Sequence, residues 1–326
     1  MITPFPWPSA VPNAFAFVLN PFHYNGELPM QLFPRAQLDH ANPSQLKIIE
    51  EIRDKLGHAG RSMAFQHEPI LEETRASAEW NRILPPRTTF WVINFDVHPT
   101  TILKFRQASQ LTDNEFEIGG ILPPEEQPFL PRVEFTWSMQ SYFDRAWRND
   151  AQRFNVDDIV KAVELARKIE IFRQKEVDDP ATSLVLRVFD DFIDLSHEHR
   201  IGHLRLLGHF ALIEALITHD PAESRRLLSH QVRTKMPLLM RRFHRQLDLE
   251  DFFAVTDLEE AWRLLYRLRS CFAHGAPADF DKPSPQKGFR ELDSLYQTFQ
   301  FVRESLKRLL IFALNEPQFV FDLKAC

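Results

Sequence analysis

The stretch TDLEEAWRLLYRLRSCFAHG at residues 256–275 decides how the C-terminal half of this chain folds. Thr256 is a favourable helix N-cap, and Glu259 three residues later completes a capping-box pattern. Apolar side chains recur at steps of three and four residues, as on one face of a helix: Leu258, Ala261, Leu265, Leu268 and Phe272. Gly275 is a typical left-handed stop, so we expect one amphipathic helix that ends there.

Two arginines of this helix are spaced to act with His274. Arg269 has four residues between it and His274, and Arg267 has six. At about 100° per residue, Arg267 and His274 lie on nearly one face, whereas Arg269 is rotated by about 140° from His274. A regular helix therefore favours Arg267, while unwinding near Gly275 would bring in Arg269. The residues alone leave both pairings open.

The segment LYRLRSCFAHG at residues 265–275 resembles the motif helix of the HEPN superfamily, and more narrowly that of its ApeA-like branch. HFALIEALI at residues 209–217 and the basic SHQVRTKM at residues 229–236 resemble the same branch. The likeness covers roughly residues 183–314 and departs at residues 271–273. In the motif it rests on six positions: Tyr266, Leu268, Arg269, Ser270, His274 and Gly275.

The HEPN resemblance implies a helical domain that forms a homodimer and acts as a metal-independent endoribonuclease, leaving a 2′,3′-cyclic phosphate. It selects Arg269 and His274 as the catalytic pair. Such cleavage needs a proton acceptor, a proton donor and positive charge at the phosphate, and these roles suit histidine and arginine. One histidine and one arginine are few for this task, and a symmetric dimer doubles the set.

Four further residues are candidates for auxiliary roles. Arg267 would contact phosphate. Ser270 would bind the phosphate or orient the catalytic histidine, or else bond back to its own helix. Tyr266 would stack on a base, or pack in the core or in a dimer interface. Glu214, alone on an apolar helix, would orient the catalytic arginine or serve as a partly exposed structural carboxylate.

Other interpretations account for some of the same residues. In a structural interpretation, His274 caps the helix and Arg269 pairs with a nearby carboxylate. In a non-catalytic HEPN dimerisation or binding module, the same helix supports an interface and the basic segment contacts nucleic acid or an acidic partner. His197, His199 and His203 allow a metal-dependent enzyme, but no H-E-x-x-H pattern is present and the sequence places no third ligand. We expect a solvated turn there, and neither a metal ion nor a cofactor.

Charge is distributed unevenly along the chain. A formal net charge of −6 argues against a generally basic nucleic-acid-binding protein. Residues 200–245, however, contain nine Lys and Arg against three Asp and Glu, which favours local phosphate binding. The alternative is a solvated helix surface. The candidates for contact with RNA are Arg225, Arg226, Arg233, Lys235, Arg241 and Arg242.

The fold class is predicted as α+β, with a mixed or mainly-β domain at residues 1–150 and an all-α, HEPN-type bundle at residues 151–326. A chain of 326 residues accommodates two such cores. We expect the first domain to have a regulatory or sensing role. Its predicted elements are strands near residues 15–19, 91–97, 101–105 and 133–139, helices opening at Asn42-Pro43 and near residues 72–81, and a loop at residues 119–131.

Residues 151–326 are predicted to form five or six helices. The helix at residues 201–218 is apolar on several sides, as the central helix of a bundle would be. The basic helix that follows Asp220 is expected to bend or end at Met236-Pro237. Of the remaining predicted helices, one begins after residue 155 and one begins near residue 182. Another carries the motif, and the last runs from Phe289 to Ala313.

Composition excludes several classes of protein. Cys271 and Cys326 are the two cysteines, which excludes a disulfide framework. No run approaches the roughly 20 apolar residues that span a bilayer, and we expect a cytoplasmic protein with no membrane contact. No phosphate-binding glycine-rich loop is present. The likeness to ApeA-like proteins implies anti-phage defence, in which infection activates toxic RNA cleavage.

Overall fold

The computed structural model describes residues 14–19, 22–57, 88–122, 152–175, 179–196, 202–219, 225–284 and 288–325. The fold class is α+β, as predicted, because an N-terminal antiparallel sheet is followed by a series of helices. The chain divides into two compact units, Met1–Arg167 and Lys168–Cys326. This division falls within the helix Val156–Lys175, whereas the domain boundary was predicted at residue 150.

The described strands all belong to the first unit. They are β1 (Ala14–Val18), β2 (Phe22–Tyr24), β3 (Met30–Phe33), β4 (Ala36–His40), β5 (Trp91–Phe95), β6 (Ile118–Leu122) and β7 (Gln152–Phe154). Five of them form an antiparallel sheet in the order β3-β4-β5-β1-β6, and β2 pairs with β7 in parallel. Every residue of β1 is buried, which places this strand in the core.

Helix α1 (Pro43–Gly57) starts where its capping residues predict. The Asn42 side chain accepts a hydrogen bond from the Gln45 backbone N–H at 2.9 Å, and the Gln45 side chain accepts one from the Asn42 N–H at 3.0 Å. This reciprocal pair satisfies donors that a helix start leaves open. Ile49 and Ile52 then pack against the apolar side chains of the sheet.

The predicted strand at residues 101–105 is wrong, because this segment lies in helix α2 (Pro99–Ser109). His98 is the N-cap and accepts a hydrogen bond from the Thr100 N–H at 3.3 Å. Pro99 occupies the first turn, where its missing N–H costs nothing. The segment, which alternates as a strand would, also fits the spacing of a helix, in which Ile102, Phe105 and Ala108 form the buried apolar face.

Strand β6 replaces the first part of the loop predicted at residues 119–131. Its residues pair with β1 across an irregular register, which the local sequence does not reveal. The predicted helix near residues 72–81 and the predicted strand near residues 133–139 lie outside the described residues.

Seven α-helices are described from residue 156 onward. They are α3 (Val156–Lys175), α4 (Pro180–Ser196), α5 (His203–Ile217), α6 (Arg225–Met240), α7 (Leu258–Ala273), α8 (Leu295–Asn315) and α9 (Pro317–Ala325). Helix α5 packs against α4, α6, α7, α8 and α9. Its Leu206, Phe210 and Ile213 are fully buried, which confirms its predicted central place.

Helix α6 does not end at Met236-Pro237 but continues to Met240. Proline lacks only its own N–H, and the Pro237 carbonyl still accepts a hydrogen bond from the Arg241 N–H at 3.3 Å. The packing of Met236 and Met240, both buried, holds the helix across this position.

The closing helix begins later than predicted from Phe289. A 3₁₀ turn, Arg290–Leu292, comes first, and Ser294 then caps α8 by accepting a hydrogen bond from the Gln297 N–H at 3.2 Å. Helix α9, which was not predicted, follows α8 directly. None of the helices in the described ranges is long and apolar enough to cross a membrane.

Candidate active site on the motif helix

Helix α7 carries the motif and begins one residue later than predicted. Asp257 is its N-cap, and its carboxylate accepts a hydrogen bond from the Glu260 backbone N–H at 2.7 Å. The capping box predicted for Thr256 and Glu259 is therefore wrong. Aspartate caps at least as well as threonine, and its negative charge interacts favourably with the helix N-terminus.

The buried face of α7 determines which motif residues reach the surface. Ala261, Leu265 and Leu268 are fully buried, as their spacing predicts. Trp262 is also fully buried, and its indole N–H donates to the Met240 sulfur at 3.1 Å. These contacts hold one side of α7 in the bundle, while Ser270 and His274 lie nearer to solvent.

The C-terminus of α7 ends as its glycine predicts. Gly275 has a φ of +68°, in the left-handed region. Its N–H donates to the Phe272 carbonyl at 3.1 Å, and the Ala276 N–H donates to the Cys271 carbonyl at 2.8 Å. These two bonds form a Schellman motif, and His274 is consequently the C-cap residue.

Arg269 is oriented by a carboxylate on the neighbouring central helix. Its Nη2 donates to Oε2 of Glu214 on α5 at 3.0 Å, with 30% of the Arg269 side chain and 15% of the Glu214 side chain exposed. The Tyr266 hydroxyl donates to Oε1 of the same carboxylate at 2.9 Å. The Arg269 guanidinium also lies 5.5 Å from the centroid of the Tyr266 ring. The structure thus brings Glu214, Tyr266 and Arg269 together.

Tyr266 is a buried residue, with 8% of its surface exposed. Burial raises the pKa of its hydroxyl above the ordinary value, and the Glu214 carboxylate raises that pKa further. The hydroxyl therefore stays protonated and remains a donor. This position leaves little ring surface for a nucleobase, so the base-stacking role considered for Tyr266 does not fit the folded chain.

Arg267 holds the loop that follows α7. Its Nη1 donates to the Ser284 carbonyl at 3.2 Å and to the Ser284 hydroxyl at 2.7 Å, and its Nη2 donates to the Gly288 carbonyl. Its guanidinium also lies 4.6 Å from the centroid of the Phe289 ring. Arg267 is therefore engaged in loop structure, and a phosphate would have to displace these contacts.

His274 and Ser270 lie nearer to solvent than Tyr266. His274 is exposed and Ser270 is partly exposed. Among the described residues, none forms a hydrogen bond or ion pair with the His274 imidazole. The Ser270 carbonyl accepts a hydrogen bond from the His274 backbone N–H at 3.2 Å. His274 is thus accessible at the helix end, while Arg269 is oriented toward α5.

Most of the predicted RNA-binding cations that can be described are exposed. Arg233 is exposed on α6, and Arg241 lies 3.9 Å from Glu259 in an exposed ion pair. Arg242 stacks on Phe319, with its guanidinium 4.5 Å from the ring centroid. The side chains of Arg225 and Arg226 lie outside the described residues. Glu259 is in the first turn of α7, so Arg241 sits about 22 Å along that axis from the C-cap.

Lys235 does not belong to this exposed surface. It is 8% exposed, and its ammonium group donates to the Ile217 carbonyl at 2.9 Å and to the Leu323 carbonyl at 2.7 Å. Those carbonyls lie in the last turns of α5 and α9, where helices lack internal donors. The prediction that Lys235 contacts RNA is therefore corrected, because its charge is turned into the bundle.

Of the two described histidines on α5, His209 is not accessible for proton transfer. His209 is fully buried, and burial lowers its pKa to about 3, an effect to which the positive charges of Arg205 and Arg303 add. His203 is exposed and packs against Phe272, with ring centroids 5.8 Å apart. The other two histidines of the proposed metal cluster, at positions 197 and 199, are not described, and the described residues contain no group able to hold a metal ion.

The hydrogen bond between Tyr266 and Glu214 and the loop contacts of Arg267 were not predicted from the sequence. Glu214 is a lone carboxylate on an apolar helix, and this was the sequence feature that could have indicated its hydrogen bond with Tyr266. No sequence feature indicated the loop contacts, because the groups that Arg267 binds come close to it only after folding.

No protein-family model, no curated protein and no solved structure matches this chain. Function is therefore inferred from the motif and from the geometry around it.

Proposed function

We propose that this chain is a metal-independent endoribonuclease of HEPN type that works as a homodimer. One observation carries the proposal: a partly exposed Arg269 guanidinium, oriented by Glu214, lies on the same helix as an exposed His274. An accessible imidazole suits proton transfer, and an oriented cation suits stabilisation of the charge on the phosphate.

The proposed division of labour follows from the chemistry of the two side chains. His274 takes the proton from the ribose 2′-hydroxyl, whose oxygen attacks the phosphorus and displaces the 5′ oxygen. Arg269 donates hydrogen bonds to the phosphate oxygens, which gain negative charge in the transition state. Ser270, one turn before His274, is placed to add a further hydrogen bond. The products are a 2′,3′-cyclic phosphate and a 5′-hydroxyl.

The proposed dimer completes the set of groups. A two-fold axis beside the C-terminal end of α7 would bring two copies of Arg269 and His274 to one RNA strand. One imidazole then accepts the 2′-hydroxyl proton while the other protonates the leaving oxygen. The exposed Arg233, Arg241 and Arg242 supply positive charge for the RNA backbone on each side.

The biological setting of the proposal comes from the resemblance alone. The first unit is assigned a regulatory or sensing role, because the motif lies wholly in the second unit. RNA cleavage switched on by phage infection would make the protein a toxin of antiviral defence in the cytoplasm. This assignment rests on analogy of motif alone.

Cleavage of end-labelled total RNA and tRNA in the presence of EDTA tests the proposed nuclease. We expect wild type to leave cyclic phosphate ends, and His274→Ala and Arg269→Ala each to lower the rate by about 10²–10⁴-fold. His23→Ala, an exposed histidine of the first unit, is the matched control and keeps wild-type activity. Cleavage that persists in His274→Ala, or that requires a divalent ion, contradicts the proposal.

A non-catalytic binding module is the second candidate, and specific contacts favour it. Glu214 neutralises the charge of Arg269 within one chain, and His274 occupies the C-cap of α7, so both residues have structural roles without RNA. In this case wild type cleaves nothing, and His274→Ala keeps both the dimer and its partner. Sedimentation analysis of the wild-type and variant chains, alongside the cleavage assay, distinguishes the two candidates.

A further inference from the structure

The carboxylate of Glu214 is shared between two residues of α7. Its Oε1 accepts a hydrogen bond from the Tyr266 hydroxyl at 2.9 Å, and its Oε2 accepts one from Nη2 of Arg269 at 3.0 Å. Each oxygen serves one donor, so Arg269 contacts the carboxylate through a single nitrogen. Arginine frequently pairs with a carboxylate through two parallel hydrogen bonds, and the single contact here requires a cause.

Arg269 keeps donors that Glu214 does not use. Its Nε is buried and has no hydrogen-bond partner among the described residues. Its Nη1 makes no hydrogen bond with them either. The side chain retains 30% of its exposed surface. An arginine held at one nitrogen has a defined orientation and still has N–H groups to donate to a phosphate.

We infer that Tyr266 is a positioning residue, whose hydroxyl holds Oε1 of Glu214 away from Arg269 and so prevents a two-bond pair. The Tyr266 ring contributes as well, because the guanidinium lies 5.5 Å from its centroid, within the range of a cation–π contact. This inference rests on the proposed function, since it assigns the unused N–H groups of Nη1 of Arg269 to an RNA phosphate.

Removal of the hydroxyl alone has a defined consequence. In Tyr266→Phe the ring and its burial remain, while Oε1 of Glu214 loses its donor and turns toward Nε of Arg269. A buried N–H without a partner is costly, so the new hydrogen bond forms. Arg269 is then held by two bonds, which fix its guanidinium more firmly to Glu214 and offset more of its charge, so an RNA phosphate binds it less tightly. We expect affinity for RNA to fall about tenfold, the value of one charge-assisted hydrogen bond.

A second substitution provides a rescue that a merely structural role would not show. In Tyr266→Phe combined with Glu214→Gln, the neutral amide cannot form the charged two-bond pair, and most of the lost affinity returns. During cleavage, the RNA phosphate competes with the Glu214 carboxylate for Arg269 when the substrate binds, before the chemical step. Tyr266→Phe therefore raises KM while kcat stays near the wild-type value, whereas general disruption of the helix would lower both kcat and stability.

The experiment measures binding of a 2′-O-methyl RNA oligonucleotide, which cannot be cleaved, to the full chain by fluorescence anisotropy. Wild type, Tyr266→Phe and the double variant are compared, and a crystal structure of Tyr266→Phe reports the Glu214–Arg269 geometry. Weaker binding by Tyr266→Phe with recovery in the double variant, and two N–O contacts in the crystal, are the expected results.

The possible failures of the two proposals are distinguishable. Equal affinity of wild type and Tyr266→Phe, or a single N–O contact in the variant crystal, overturns the positioning role. Wild type that binds the 2′-O-methyl RNA in the expected order but cleaves no unmodified RNA contradicts the nuclease alone. Wild type that does not bind RNA overturns both.

Discussion

Replacing Lys235 with methionine separates a buried structural lysine from the exposed cations of the same helix. The Lys235 ammonium donates to the carbonyls of Ile217 and Leu323 at 2.9 and 2.7 Å, and to the Gln231 side chain at 3.3 Å. Methionine keeps most of the side-chain volume but donates no hydrogen bond. Lys235→Met therefore removes the shared donor that joins the last turns of α5 and α9.

The expected loss of stability follows from these contacts. In Lys235→Met, two helix-terminal carbonyls lose their charged donor in a buried position, which costs about 1–3 kcal/mol for each carbonyl. Part of this cost is offset because the ammonium no longer has to leave water on folding. We expect Lys235→Met to lower the free energy of unfolding by about 3 kcal/mol. For a unit of this size, the melting temperature falls by about 6–12 °C.

Urea and thermal unfolding followed by circular dichroism measure this change, with Arg233→Met as the matched control. Arg233 is exposed on the same helix, so its replacement should change stability by no more than about 0.5 kcal/mol. RNA binding should show the reverse order. Arg233→Met lowers the slope of log K against log salt by about 0.7, while folded Lys235→Met keeps the wild-type slope. A Lys235→Met protein of wild-type stability, with a lowered salt slope, would refute this reasoning.

Four smaller changes test other parts of the second unit. Asp257→Ala should lower the free energy of unfolding by about 1 kcal/mol through loss of the N-cap, whereas Thr256→Ala should change it by less than about 0.5 kcal/mol in the same urea titration. Gly275→Ala should cost about 1 kcal/mol because of its φ of +68°, although no atom lies within 4 Å of the added Cβ; wild-type stability would count against this. Arg267→Ala should release the loop after α7, which limited proteolysis would detect as faster cutting of the chain in that loop. A rate of proteolysis equal to that of wild type would contradict the described contacts. His209 has a folded-state pKa of about 3, below its ordinary value, so its contribution to stability is full above about pH 6.5 and is lost as pH falls toward 3. Relative to His209→Phe, the free energy of unfolding of wild type should fall by about 2 kcal/mol between pH 7 and pH 5. If urea titrations give the same difference between the two proteins at both pH values, this role is excluded.

The motif helix shows how far local sequence patterns reach. The spacing of Ala261, Leu265 and Leu268 correctly predicted a buried face, and Gly275 correctly predicted the left-handed end of α7. The N-cap was misplaced by one residue because Thr256 and Asp257 are both good caps and compete for one position. Choosing between them depends on the path of the chain before the helix, which the local pattern does not contain.

The same limit explains the errors elsewhere. Residues 101–105 fit both a strand and a helix, since a short apolar run carries both periods, and the cap at His98 resolved the ambiguity. Lys235 was grouped with the surface arginines because its segment is basic. Its inward direction depends on the carbonyl ends of α5 and α9, and the second of these helices was not predicted.

The sequence by itself determined the α+β class, the buried face of the motif helix and its left-handed end at Gly275. These features depend on neighbours within a few residues, where periodicity, caps and turns act. Only the tertiary structure decided how the polar groups are used. Glu214 lies 55 residues from Arg269 and 52 from Tyr266 in the chain, and their shared carboxylate exists only because α5 and α7 pack together. Hydrogen bonds between distant residues follow from packing, which no local pattern encodes.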